Sequence, residues 1–321
     1  MVRLVGIASV TVAGILFFGL SNAKPPSLHP ELGGPLPGLT EEQMQRFLAG
    51  KEVFALGPLF NASNCAACHE DPVAGGAGRA EIHATRLIPP GTCDPLEGQG
   101  GPVIPQQATP GNRSTPPIFG FGLLDAIPEA TILAHEHRSG GRAHRLADGR
   151  VGRFGRKAQV ASLLDLNAGA PLLLANDFVQ FLAPPQPKEP ESRHEAGAIR
   201  RGHGLFHKVG CATCHMPSMR TGPNPIAALD RKVVHLYSDL LLHDMGPDLA
   251  DICLGEARPN EFRTAPLMGL RFLSRFLHDG RATTVEAAIQ LHGGQATHAR
   301  AAFASLSPDG REALLTFLGS L

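Results

Sequence analysis

Apolar and polar positions fall into blocks along this chain, and each block's period predicts an element. Residues 4–20, LVGIASVTVAGILFFGL, form an uncharged apolar run behind Arg3, followed by the small residues Ser21, Asn22 and Ala23. Seventeen such residues barely span a hydrocarbon core of about 30 Å, but they suit the apolar part of a secretion signal. Cleavage is expected after Ala23, making residues 1–23 a signal peptide; left uncleaved, the run is a membrane anchor. Either way the remainder lies outside the cytoplasmic membrane, and the expected location is periplasmic, with no stable membrane insertion after cleavage.

Further on, LTEEQMQRFLAGKEVF reads as a helix that Thr40 can cap, with Gln43 three residues on. ESRHEAGAIRRGHGLF is apolar on one face. Two more helical patterns close the halves: ANDFVQFL at 175–182, and SPDGREALLTFLGSL at 307–321, where Ser307 caps and Pro308 takes the first helical position. Pro-rich segments at 24–38 and 183–191 can sustain neither helix nor ladder pairing, and read as a lead-in and an interdomain linker. Residues 71–112 and 216–262 are rich in Gly, Pro and Asp, which suits loops around a large cofactor. Strand signals are few and short. The predicted fold is mainly α, with two helical domains at 39–182 and 192–321 joined to long irregular loops. Arg113-Ser-Thr-Pro116 lies 44 residues past His69 and Arg263-Thr-Ala-Pro266 lies 48 past His215, so the halves read as a duplication.

Composition sharpens the chemistry. With 29 basic and 29 acidic side chains among 321 residues, no net charge draws the chain toward nucleic acid. There is no Trp and one Tyr, while 15 His accompany six Cys, an inventory suited to metal or heme ligation. Cys65-Ala-Ala-Cys68-His69 and Cys211-Ala-Thr-Cys214-His215 both match C-x-x-C-H, in which two thiols bond a porphyrin edge and the adjoining His reaches the iron. Paired Cys with His also suits zinc, and C-x-x-C suits a thioredoxin-like redox site, which wants a βαβ context absent from this pattern. The repeated Cys-His dipeptide favours two covalently bound c-type hemes.

Second axial ligands are sought among His and Met. His292 follows the predicted helix TTVEAAIQL and lies 77 residues beyond His215, with Met245 and Met268 as nearer alternatives. In the first half the candidates are His83, His135 and His137. Peroxide cleavage needs an acid–base group on the open face of the iron, a role that Asp125, Glu129 or Glu136 could fill. Arg113 and Arg263 suit heme propionates. Cys93 and Cys253 remain after the heme thiols are assigned, and a disulfide between the halves is expected in an oxidising compartment.

The segments GPLPGLT, GPLFNASNCAACH, RSTPPIFGFGLLDAIPEATIL, GRVGRFGRKA, LYSDLLLHDMGPDLAD, EFRTAPLMGL and FLHDGRA together resemble the diheme oxidoreductase (putative peroxidase) family, related to bacterial diheme cytochrome c peroxidases and MauG-type enzymes. The resemblance implies two cytochrome c-like domains facing each other, with peroxide reacting at the amino-terminal heme and electrons arriving at the carboxy-terminal one. It places His292 where the peroxidases carry a Met ligand, and sets His83 against their releasable His. It also implies a calcium ion between the domains near Asn112, Thr264 and Pro266. The relatives' inter-heme Trp has no counterpart here, leaving Tyr237 or direct tunnelling. The implied activity is reduction of hydrogen peroxide with a small redox protein, a cytochrome c or cupredoxin, as donor. The rival readings are a MauG-like oxidation of a partner protein and a diheme electron carrier without substrate.

Overall fold

The computed structural model describes residues 31–56, 64–78, 85–86, 93–94, 108–109, 114–167, 170–250 and 253–321. The expected signal peptide, His83, Arg113 and Asn112 lie outside the described residues. Among the described residues no helix is long and apolar enough to cross a membrane.

The helices are α1 (Glu41–Leu56), α2 (Phe121–Asp125), α3 (Glu129–Leu133), α4 (Glu136–Ser139), α5 (Leu163–Leu166), α6 (Ala170–Phe181), α7 (Arg193–Lys208), α8 (Val285–Gln290), α9 (Thr297–Ala304) and α10 (Pro308–Leu318). Four of them, α1, α7, α8 and α10, start at side-chain caps. Thr40 Oγ1 accepts from Gln43 N at 3.2 Å while Gln43 Oε1 accepts from Thr40 N at 3.0 Å, a reciprocal capping box. Ser192, Thr284 and Ser307 cap α7, α8 and α10 in the same sense, accepting from Glu195, Ala287 and Gly310. The short α2 to α5 and the polar α9 escape a periodicity reading. Four or five residues carry no period, and α9 begins at Ala296 without a side-chain cap.

In each half the opening helix packs on the closing one. On α1, Phe47 and Phe54 meet Phe178 of α6 with ring centres 5.3 and 4.8 Å apart. On α7, Ala198, Gly202 and Phe206 share the buried face, and Phe206 meets Phe317 of α10 at 5.4 Å. Gly202 is needed there, because a Cβ would stand 2.0 Å from the Ala313 carbonyl oxygen. Burying such a Phe stabilises by about 2–3 kcal/mol over leaving it exposed, so these contacts anchor both halves.

Strands are only two or three residues long and pair as staples. They are β1 (Thr85–Arg86), β2 (Cys93–Asp94), β3 (Ala108–Thr109), β4 (Met219–Arg220), β5 (Val233–Val234), β6 (Leu242–Asp244), β7 (Cys253–Leu254) and β8 (Glu261–Arg263). The pairs β1–β3, β4–β5 and β6–β8 are antiparallel. β2–β7 is parallel, with the backbone of Cys93 opposite that of Cys253. The larger core gathers α1, α2 and α6 but also Met219, Leu229, Leu236, Leu240, Leu241 and Met268 from the second half of the sequence. The smaller one gathers Phe206, Leu270, Phe303, Leu314 and Phe317.

Candidate functional site

The first C-x-x-C-H motif follows α1 as a tight turn. Asn64 Oδ1 accepts from Ala67 N at 2.7 Å, and His69 N donates to Cys65 O and Ala66 O, both at 3.0 Å. Ala66 N donates to Phe54 O at 3.2 Å, tying the turn to the end of α1. His69 directs Nδ1 at the Gly76 carbonyl, 3.3 Å away. Since a carbonyl only accepts, Nδ1 carries the proton and Nε2 keeps its lone pair. The loop presenting Gly76 is closed by paired bonds between Asp71 and Ala77.

The second motif repeats the plan. Gly210, at φ 93°, ends α7 and turns the chain into a short 3-10 segment, Cys211–Thr213. His215 N donates to Cys211 O at 2.9 Å, and His215 Nδ1 lies 3.0 Å from Tyr237 O, so Nε2 again carries the lone pair. Burial, reinforced by the charge of His292, presses the His215 pKa down to about 4. His292 directs Nδ1 at Ala288 O, 2.7 Å away on α8, and burial lowers its pKa too. Three imidazoles therefore commit Nδ1 to a backbone carbonyl and keep Nε2 for a metal, the orientation that metal-bound His adopts. Burial also raises the thiols of Cys65 and Cys211, the latter to about 11. These residues fit two hemes of the attached kind.

Arg263 fits as well. Burial lowers its pKa to about 10, it donates to Gly155 O at 2.8 Å, and no carboxylate pairs with it among the described residues. A half-buried cation of this sort suits a propionate. Of the alternative ligands, Met268 packs its Sδ against Gly120 in the larger core, and Met245 donates from its backbone to Asn260 O. His135 starts α4 with its pKa lowered by burial, and His137 is exposed on that helix. The carboxylates are tied to backbone. Asp125 Oδ1 accepts from Leu163 N, Glu129 Oε1 from Val151 N, both at 3.0 Å, and Glu136 Oε1 from Ala143 N at 2.7 Å. Burial raises the Asp125 pKa against the opposing Leu163 N–H. Near the expected calcium position, Thr264 O accepts from Ser238 Oγ at 2.6 Å.

One cluster escaped the sequence reading. His243 and Asp239, 3% and 1% exposed, are joined Nε2 to Oδ2 at 2.8 Å. His243 Nδ1 lies 3.1 Å from Gln295 Oε1 and 3.6 Å from Cys214 Sγ. The available signal was two ionisable residues bracketing the apolar Leu240, Leu241 and Leu242.

No curated protein matches the chain in sequence. Among solved structures, one of Kuenenia stuttgartiensis hydrazine synthase under xenon shares 16% identity at a TM-score of 0.47, covering 98% of this chain and 100% of that one. A MauG-like protein associated with microbial copper homeostasis shares 18% identity at a TM-score of 0.43, covering 94% and 95%. The family described as "Di-haem oxidoreductase, putative peroxidase" matches residues 167–321, the stretch that holds Cys211, Cys214, His215 and His292. Over those residues, a little under half of the chain, the sequence is similar to the di-haem oxidoreductases.

Proposed function

We propose that the protein is an exported, periplasmic two-heme oxidoreductase that reduces hydrogen peroxide, taking up two electrons and two protons to give two waters. The observation that carries this reading is the repeated turn in which two thiols precede an imidazole with Nδ1 committed to a carbonyl, Gly76 in one case and Tyr237 in the other. Cys65, Cys68, Cys211 and Cys214 hold the two porphyrins by thioether bonds. When bound, each heme supplies an iron that cycles between oxidation states. His69 and His215 present Nε2 as proximal ligands. His292 would add a second imidazole to hold the iron at the His215 centre, a ligand set that suits electron transfer. Peroxide is thereby assigned to the His69 centre, with His83 as its releasable ligand.

Around that centre the chain's own groups manage protons. Asp125, its pKa raised by burial, is the first candidate for moving a proton there, and Glu129 is the second. Arg113 and Arg263 orient the propionates, and a calcium ion near Asn112, Thr264 and Pro266 braces two cytochrome c-like domains derived from a duplication. Electrons come from a small redox protein, a cytochrome c or cupredoxin.

The test uses protein matured with heme, in which pyridine hemochrome should count two hemes per chain. Peroxide should then be consumed with oxidation of a reduced cytochrome. Slow turnover with oxidation of Trp or Tyr on a partner protein selects the MauG-like role instead. Two low-spin hemes and no reaction with peroxide overturn the enzyme reading and leave an electron carrier.

A further inference from the structure

The Asp239–His243 pair has no part in the proposed reaction, yet it touches both ends of the His215 centre. Asp239 N donates to Cys214 O at 2.9 Å, and Asp239 Oδ1 accepts from Leu241 N at 3.1 Å, so the residue's backbone is tied to the attachment turn and its carboxylate is held in place beside it. Gln295, three residues beyond His292, accepts through Oε1 from Asp244 N at 3.0 Å and donates through Nε2 to Gly140 O at 2.8 Å. The backbones also touch. A Cβ on Gly294 would lie 2.3 Å from Asp244 O, and one on Gly293 would lie 2.7 Å from Met245 O. The loop carrying His292 is thus docked on β6, and the His243 ring bridges that dock to Cys214.

The charge of His243 follows from its partners. One ring nitrogen faces a carboxylate and the other an amide oxygen, and both are acceptors, so both nitrogens carry protons. Burial opposes that charge, but the Asp239 hydrogen bond and the neighbouring Cys214 outweigh it and raise the pKa to about 10.

We propose that His243, held by Asp239 and Gln295, is a positioning residue of the second heme, setting the His292 loop relative to His215 and holding a positive charge against the Cys214 sulfur. The inference rests on the reading of His215 and His292 as that heme's axial pair. A cation at the porphyrin edge disfavours the ferric state, which carries one more positive charge than the ferrous. Its removal therefore lowers the reduction potential. Because Asp239 stays behind as an uncompensated anion, the effect has a single sign.

The experiment is spectroelectrochemistry and low-temperature EPR on the two-heme holoprotein, without peroxide. His292→Gly comes first: conversion of a low-spin heme to high spin establishes the axial pair, and an unchanged spectrum sinks that reading. In a protein that passes, His243→Gln should lower the potential of the low-spin heme, leave the other heme's potential in place and alter the low-spin g-value spread. Gln295→Leu, made at an exposed side chain, should alter the same EPR signal, and it serves if His243→Gln fails to take up heme. Two-heme variants with wild-type potential and EPR overturn the proposal.

Discussion

Lys157 lies in an arginine-rich stretch, yet it is 2% exposed. Its ammonium donates to the carbonyls of Arg258, Pro259 and Glu261 at 3.0, 2.8 and 2.6 Å and stands 3.7 Å from the centre of the Phe262 ring. Lys157→Met keeps the apolar stem and removes the donor. Leaving buried acceptors unpaired costs roughly 1–3 kcal/mol each, so the expected loss is about 3 kcal/mol, read as a lower denaturant midpoint at unchanged slope. A midpoint equal to wild type would mean that the carbonyls find other donors. The Asp239–His243 pair predicts a pH dependence. His243 is raised toward 10 from an ordinary value near 6.5, so its contribution is full below about pH 6.5 and fades as pH rises toward 10. If heme attachment converts Cys214 to a thioether, as proposed above, the thiol's part of that shift is lost and the loss moves to lower pH. Asp239, held below the carboxylate range by the hydrogen bond from His243 against the pull of burial, contributes above about pH 4 and is lost as pH falls. Unfolding free energies at pH 6 and pH 9.5 should therefore differ more in wild type than in His243→Gln, and parallel profiles would reject the pairing. The motif residues were legible because their spacing is local. His243 was not, because beyond Asp239 four positions away its partners come from residues 214 and 295, two distant segments.

At the level of elements, what could be read was what the chain writes locally. Thr40 and Ser307 announced the helices they cap, while the caps Ser192 and Thr284 emerged only in the structure. The two-residue strands announced nothing, since a ladder that short exists only through a distant partner, as with Met219 opposite Val234. Gly202 shows the same divide inside a helix. By propensity, replacing a helical Gly with Ala gains roughly 1 kcal/mol. At Gly204, where nothing lies within 4 Å, Gly→Ala should show that gain as a higher melting temperature. At Gly202 the new methyl would meet the Ala313 carbonyl at 2.0 Å and Phe317 Cβ at 2.6 Å, pushing α7 off α10. Overpacking of this kind costs about 1–3 kcal/mol, so Gly202→Ala should melt lower than wild type. The two variants moving in the same direction would mean that the helix pair is loose enough to absorb a methyl.

Over the whole molecule, the sequence divides 39–182 from 192–321 at a Pro-rich linker, and the fold laces the two together. Lys188 N within that linker donates to Ser320 O at 2.7 Å, Arg142 pairs with Glu261 at 2.5 Å, and Arg263 N donates to Arg156 O at 2.8 Å. Partners a hundred positions apart leave no trace in residue spacing. β2 and β7 add another tie, placing Cys93 opposite Cys253, the two cysteines outside the C-x-x-C-H motifs. Neighbouring strands run about 4.8 Å apart, within the roughly 4.4–6.8 Å between Cα atoms that a disulfide requires. A bond there closes 160 residues, and a loop that long, in the chain-entropy account, stabilises the fold by about 5 kcal/mol. Digestion without reductant should release a cross-linked peptide pair containing Cys93 and Cys253 that separates on reduction. Cys253→Ser should lower the denaturant midpoint in oxidising buffer, and reductant should erase its difference from wild type, because the reduced proteins no longer differ in cross-linking. Two titratable thiols in the unreduced holoprotein would show instead that the strand pairing alone holds this junction.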